Sequence, residues 1–378
     1  MRSFLSRRFF LGALCALAAT PAALARVHNG LGEFLQLFGF TPDTAPRVLN
    51  NASVLPYGSM GNLPALTSLG EVDGVLRRLD LPYPANAATE DGRHPAMRGS
   101  WEIYALGQAG RGEFDRANDR PVFDPEVWGG GVGGHLWTDD ERLAGITVSC
   151  NETRAKIHDG GGHISGEQAR VRVYAALIPG GQPWQVAFGA SGGYVSYDVR
   201  RFSPLNGAGE VIKAAPDGYE LGIFGVFKTR LTLADGLMLT PFARIDYNNT
   251  SVNHFSERGA GTWLQDVNRF NAESIQTRLG AGLEYTADIG GALLRAATTV
   301  TWASELGRNK IKLTSAFIGT QSRHHVYAGQ LFGDAVEISP SVALVFGSGF
   351  TLQAAYQIQI TFAAQYSQSV SASAGWRF

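Results

Sequence analysis

Phe350-Thr351-Leu352-Gln353-Ala354-Ala355-Tyr356-Gln357-Ile358-Gln359-Ile360-Thr361-Phe362 is the stretch on which the fold turns. Phe350, Leu352, Ala354, Tyr356, Ile358, Ile360 and Phe362 share one parity; Thr351, Gln353, Ala355, Gln357, Gln359 and Thr361 share the other. A period of two marks a strand with two unlike faces. The run is about twice the usual soluble strand of roughly 5–6 residues. Moving outward, the pattern repeats. Leu237, Leu239, Pro241, Ala243, Ile245 and Tyr247 alternate with Thr240, Arg244 and Asp246. Between Tyr219 and Leu231, Glu220, Lys228 and Arg230 take one parity and Leu221, Ile223 and Phe227 the other. Arg295 and Glu305 oppose Val300 and Trp302 in the same way.

Parity alone fits a soluble sandwich and a membrane barrel equally. Strand length and punctuation separate them. Runs this long match tilted membrane-spanning strands. Short turns stand at Thr138–Glu141, Pro179–Gln182, Ala234–Gly236, Asp288–Gly291 and Gly347–Gly349. Longer polar connections lie near 114–125, 158–166, 200–217, 256–272 and 307–330. Short turns at one end and long loops at the other describe an outer-membrane barrel. The spacing predicts an all-β fold: an antiparallel transmembrane β-barrel of about twelve strands over 99–378, with both ends on the periplasmic, short-turn side.

In hydrocarbon every backbone N–H and C=O needs an internal partner, so a spanning sheet must close. Closure requires an apolar exterior and permits a polar interior. Arg170, Arg172, Lys228, Arg230, Arg244, Asp246, Arg278, Glu284 and Arg295 are therefore expected to face the lumen. Trp128, Trp137, Trp184, Tyr197 and Trp376, near strand ends, suit interfacial girdles. Glycine is abundant, 47 of 378 residues. The run Gly129-Gly130-Gly131-Val132-Gly133-Gly134 would weaken an ordinary strand; in a barrel it suits sharp bending or leaves room for a helix. At the end, Val370, Ala372, Ala374, Trp376 and Phe378 alternate with Ser369, Ser371, Ser373, Gly375 and Arg377. A terminal aromatic on an alternating strand resembles the insertion signal of bacterial outer-membrane proteins, carried here by Trp376 and Phe378.

The N-terminus reads as an address. Arg2, Arg7 and Arg8 precede the apolar run Phe9–Ala19, and Ala23-Leu24-Ala25 fits a cleavage site, so 1–25 is an expected signal peptide. Ser6-Arg7-Arg8-Phe9-Phe10-Leu11 also resembles a twin-arginine signal, which leaves the export route open. Cleavage removes Cys15 and leaves Cys150 alone, so the exported chain cannot hold an intramolecular disulfide or a cysteine-built zinc site. With 32 basic and 33 acidic residues, the chain is no nucleic-acid binder by charge. Residues 26–65 form a short segment of weak periodicity. In 66–98, Ser68-Leu69-Gly70-Glu71 is a capping-box pattern. Leu69, Val72, Val75, Leu76 and Leu79 follow at helical spacing, with Arg77 and Arg78 in the last turn. A short helix over Leu69–Leu79 is expected, then a Pro-containing linker.

From Ser100 onward the chain resembles the autotransporter beta-domain, the translocator of type V secretion. Four stretches carry the resemblance, through their order and spacing: Gly189–Tyr194 continuing to Arg201; Leu239-Thr240-Pro241-Phe242-Ala243; Phe255–Gly261; and Ser274–Gly280. Phe378 fits as well. The resemblance implies a twelve-stranded barrel with the helix near Leu69–Leu79 threaded through its pore. It also implies a passenger carried to the cell surface, outer-membrane lipid as surroundings and the barrel assembly machinery as a partner. One departure is plain: only 26–65 is present as a passenger-like segment, where passengers of the family are usually far longer.

Several patterns in the chain could carry chemistry. Gly189-Ala190-Ser191-Gly192-Gly193 satisfies G-x-S-x-G, but a nucleophile elbow needs strand, turn and helix, and strand parity continues on both sides. His254, Glu257 and Asp266 could form an acid–base set, with no companion nucleophile. His324-His325 with His158 or His163 could bind a metal at loop tips. Asn50-Asn51 resembles the cleavage dipeptide of some autotransporters, yet it precedes the expected helix. The combined expectation is an outer-membrane barrel, not an enzyme and without cofactor, that translocates or presents a short N-terminal segment. A porin-like channel or structural barrel is the alternative, and a barrel hydrolase the third.

Overall fold

The computed structural model describes residues 57–81, 100–113, 123–139, 141–157, 162–179, 182–202, 211–259, 264–307, 310–319, 323–329, 333–361 and 366–378. The signal peptide 1–25, Asn50-Asn51, most of the 26–65 segment, the linker 82–99 and His158 lie outside the described residues.

Twelve long strands form the wall: β1 (Trp101–Glu113), β2 (Phe123–Trp137), β3 (Arg142–Ile157), β4 (Gly162–Leu177), β5 (Trp184–Phe202), β6 (Asp217–Thr229), β7 (Leu237–Val252), β8 (Phe270–Asp288), β9 (Ala292–Glu305), β10 (Ala335–Phe346), β11 (Phe350–Thr361) and β12 (Tyr366–Arg377). Each pairs antiparallel with its neighbours in the chain, and β1 pairs with β12 from Glu102↔Arg377 to Glu113↔Tyr366, which closes the barrel. Backbone bonds between Trp101 and Phe378 finish the seam, at 2.9 and 3.0 Å. Ala234–Gly236, Asp288–Gly291 and Gly347–Gly349 are tight turns whose Gly236, Gly290, Gly291 and Gly349 hold positive φ, where a side chain would be strained.

The wall is inverted relative to a soluble protein. Ile103, Ile223, Leu279 and Val300 are 51–61% exposed while their inward neighbours are buried. A continuous apolar exterior of this kind belongs in lipid. Trp376 and Phe378 project outward at the short-turn end, Tyr194, Tyr219 and Trp302 toward the other. Two of the expected girdle aromatics are instead inside. Trp137 is buried near Val75, Leu76 and Tyr174, and Tyr197 is buried against the interior helix. Parity decides the face, and both residues share the parity of inward neighbours; closeness to a strand end does not override it.

The interior holds one helix, α1 (Gly58–Leu79). It begins at Gly58, not at Leu69 as expected, and Ser68-Leu69-Gly70-Glu71 is mid-helix, not a cap. The apolar stripe ends where the surroundings change: the first half is enclosed on all sides, so it needs no amphipathic pattern. A Cβ on Gly58 would collide with Ala328 of the strand Arg323–Gly329, and one on Gly61 with Ala272 of β8, so these glycines let the helix approach both. The glycines of β2 do similar work: Gly133 lies against the Tyr104 ring, as Gly145 of β3 lies against Tyr174, and the two hydroxyls bond at 2.9 Å.

Beyond the strands, Phe255–Ser256, Gln265–Val267, Lys310–Phe317 and Arg323–Gly329 form a small four-stranded sheet within the long loops. Its Phe255, Val267, Ile311, Leu313 and Ala328 pack with Tyr57, Met60 and Leu63 over the start of α1.

Candidate functional site: the plugged pore

α1 carries charge in its second half and backbone irregularity in its first, and the wall answers both. Pro64 lacks the N–H that would bond the Met60 carbonyl one turn back. The Tyr197 hydroxyl donates to that carbonyl instead, at 2.5 Å. The Pro64 carbonyl accepts from Arg170 at 3.0 Å. The carbonyls of Thr67 and Ser68 accept from Gln108 and Arg172, each at 3.2 Å. Tyr57, at the N-terminus, donates its hydroxyl to Glu257, which also takes both forks of Arg201 at 2.6 Å. At the other end the Asp80 and Leu81 amides bond the Arg77 and Arg78 carbonyls, and the two arginines suit the negative end of the helix dipole.

The densest contact centres on Glu71. Its carboxylate, 1% exposed, accepts from Ser149 (2.8 Å) and Asn151 (2.6 Å) of β3 and pairs with Arg170 (2.9 Å) and Arg172 (3.0 Å) of β4. Arg170 is shared with Glu220 of β6 at 2.6 Å. Two residues further, Asp73 pairs with Arg244; Arg244 holds Asp246 at 2.7 Å, and Arg278 lies 3.3 Å from Asp246 and 3.2 Å from Glu337. Asp80 meets Lys228 at 2.7 Å, Gln185 at 3.0 Å and Arg230 at 3.4 Å. Arg78 reaches the barrel seam. It donates to Glu102 of β1, Thr351 of β11 (2.7 Å) and Ser373 of β12 (2.9 Å), and its guanidinium stands 4.9 Å from the centre of the Tyr104 ring. Glu102 also pairs with Arg377 at 2.6 Å. Breaking a buried pair by removing one partner costs about 3–5 kcal/mol, because the other charge is left without compensation.

The nine charged residues expected in the lumen fall into three groups. Arg170, Arg172, Lys228 and Arg244 are buried and hold α1 or, for Lys228, its C-cap Asp80. Asp246, Arg278, Glu284 and Arg295 are buried in pairs within the wall, Arg295 with Glu284 at 2.6 Å. Arg230 stands just past the end of β6, a third exposed, at the short-turn mouth. On the helix side their partners are Glu71, Asp73 and the C-cap Asp80. Asp73, Asp80 and the wall acid Glu102 were not singled out from sequence, Glu71 and Arg78 were read only as a cap and a last-turn residue, and the loop acid Glu257 only as part of an acid–base set. The available signal was balance: so many inward arginines need counter-charges, and the helix is where they are.

One side of the pore differs. The inward residues Gln353, Gln357, Gln359, Ser367, Ser369 and Ser371 of β11 and β12 are uncharged. A cavity of about 80 Å³ lies there, between Leu69, Gly70 and Asp73 of α1 and Gln108, Gln357 and Ser369 of the wall. Arg77 crosses the gap below it to Ser371, at 2.7 Å.

The other chemical candidates do not assemble. Ser191 is buried mid-way along the uninterrupted β5, against Gly222, so no elbow forms. His254 and Ser256 both bond Asp266, at 2.9 and 2.5 Å, while Glu257 turns to the opposite face with Tyr57 and Arg201. His325 bonds Thr314 at 2.9 Å. Among the described residues no three His, Cys, Asp or Glu side chains converge as metal ligands.

Comparison with known proteins agrees with this geometry. The autotransporter beta-domain family model matches residues 103–357. Among solved structures, the translocator domain of autotransporter NalP from Neisseria meningitidis is similar at 14% identity and TM-score 0.60, over 82% of this chain and 98% of that one. The beta domain of the Bordetella autotransporter BrkA is similar at 16% identity and TM-score 0.54, covering 73% and 98%. The transport unit of AIDA-I from Escherichia coli gives 9%, 0.51, 87% and 99%. No curated protein matches by sequence. With the family match spanning most of the barrel, and a helix-filled twelve-stranded wall beneath it, the chain belongs to the autotransporter beta-domain family.

Proposed function

We propose that this outer-membrane barrel carries the residues preceding Tyr57 through its pore and presents them at the cell surface, α1 remaining behind as the plug. The direction of α1 carries the reading. Its C-terminus lies at the short-turn mouth beside Lys228 and Arg230, and its N-terminus lies beneath the long-loop sheet beside Glu257. Tyr57 therefore stands toward the long loops, while Leu81 and Ser100 both stand at the short-turn end, where the Ser100 carbonyl accepts from the Trp137 amide. The exported segment is short, about 26–56 once the signal peptide 1–25 is removed, and α1 with its linker fills 57–98. Insertion uses the barrel assembly machinery, with Trp376 and Phe378 as its C-terminal signal. The nine lumen charges position the plug and the wall; none acts on a substrate, and no enzymatic step is assigned.

The test places an epitope tag after Arg26 in intact cells and adds protease outside. Surface staining, lost on proteolysis, is the expected result. A protected tag on a chain that fractionates with the outer membrane would overturn the reading. The porin-like alternative draws on the gap along β11 and β12; a large steady conductance of the intact protein in a planar bilayer would favour it.

A further inference from the structure

We propose that the outward face of the long-loop sheet binds the phosphate groups of the glycolipid in the outer leaflet around the barrel. The sheet has two opposed faces. Cross-strand register puts Lys310, Lys312 and Thr314 on the same face as Tyr327, His325 and Arg323, through the pairs Lys312↔Tyr327, Thr314↔His325 and Ala316↔Arg323. Ile311, Leu313 and Ala328 take the other parity and are buried over α1. Lys310, Lys312 and Arg323 are exposed, and Tyr327 is 49% exposed. The single described carboxylate on this face is Asp266, opposite Ala316. The Ser256 hydroxyl first, then His254, and also Arg323 of the same face hold its carboxyl below the usual carboxylate range, leaving three cations against one carboxylate. The face is thus cationic, with an aromatic ring opposite Lys312.

Such a face needs neither helix contact nor lumen chemistry, since its apolar side already covers α1. Position narrows the partner. β9 ends at Glu305, and Trp302 projects outward in its last turn of register. The Asn268 amide donates to the Thr314 carbonyl at 2.9 Å, two residues before β8 begins at Phe270, so Lys312 and Thr314 stand at the long-loop end of the wall. Lysines and arginine just beyond an aromatic belt meet the phosphorylated headgroup region. Lysine acts there as a point charge and arginine as a forked donor to phosphate oxygens.

The inference rests on the long loops facing outward, as in the proposed function, but its test does not need secretion. The full-length protein, purified in detergent, is incubated with bisphosphorylated lipid A or with the same lipid dephosphorylated, and retention is read by native mass spectrometry. Wild type is expected to retain the phosphorylated form at least tenfold better. Lys310→Glu, Lys312→Glu and Arg323→Glu combined should abolish that preference while the heat-modifiable folded band persists. A milder variant, Lys310→Gln with Lys312→Gln, should reduce it in between. Equal retention of both lipids, or unchanged preference in both variants, would overturn the proposal. So would charge-dependent binding of soluble heparin without lipid retention, which would assign the face to a free sulfated polymer.

Discussion

The wall from β3 to β8 and the wall made by β11, β12 and β1 enclose the same helix with different chemistry. The first presents Arg170, Arg172 and Arg244, bonded to α1, and Lys228, bonded to its C-cap Asp80. The second presents serine and glutamine and leaves a cavity of about 80 Å³. Its charged grip is confined to the seam, where Arg78 meets Glu102. The difference teaches what a removable plug requires. In the proposed function the pore passes an extended chain before α1 seats in it, so the helix needs contacts that form on arrival. Charged pairs on one side locate the helix; a neutral, yielding side accommodates it.

The largest expected effect comes from the charged side. Glu71→Ala would leave Arg170 and Arg172 without their shared acid and cost about 3–5 kcal/mol. The folded barrel should lose heat resistance on gels and open to ion flow in a planar bilayer. Arg78→Ala should cost somewhat less, about 3 kcal/mol, because Glu102 keeps Arg377; a lower thermal midpoint in detergent checks it. Two glycines sharpen the comparison. Gly61→Ala drives a methyl into Ala272 and should destabilise by about 1–3 kcal/mol. Gly74→Ala points at open space, with Leu106 4.0 Å away, and should stabilise by about 0.5–1 kcal/mol. Denaturant midpoints of the two variants should move in opposite directions. Smallest is Ser369→Ala on the neutral wall, expected to change stability by less than about 0.5 kcal/mol.

Much of the wall was legible because lipid imposes period two over long strands: Phe350–Thr361 ends one residue short of its sequence-derived bound, and Leu237–Val252 starts where expected but runs five residues past Tyr247. The first half of α1 was not legible. Gly58–Thr67 is enclosed by wall and sheet, so no polar face alternates with an apolar one, and the backbone donor that Pro64 lacks is replaced from the wall by Tyr197. Ser68 and Glu71 imitated a cap because the same residue types serve to bond arginine. Trp137 and Tyr197 misled for a related reason: an aromatic near a strand end suits either a membrane interface or a crowded lumen, and parity separates the two. The long-loop sheet was hidden because its strands are short and distant in sequence.

The most direct measurement is hydrogen exchange of the α1 amides in the folded, detergent-purified protein, compared across wild type, Glu71→Ala and Ser369→Ala. Wild type and Ser369→Ala are expected to protect 58–79 as slowly as the barrel strands, and Glu71→Ala to lose that protection while the strands keep theirs. Equal protection in all three, or equal loss in both variants, would contradict a plug held by its charged side.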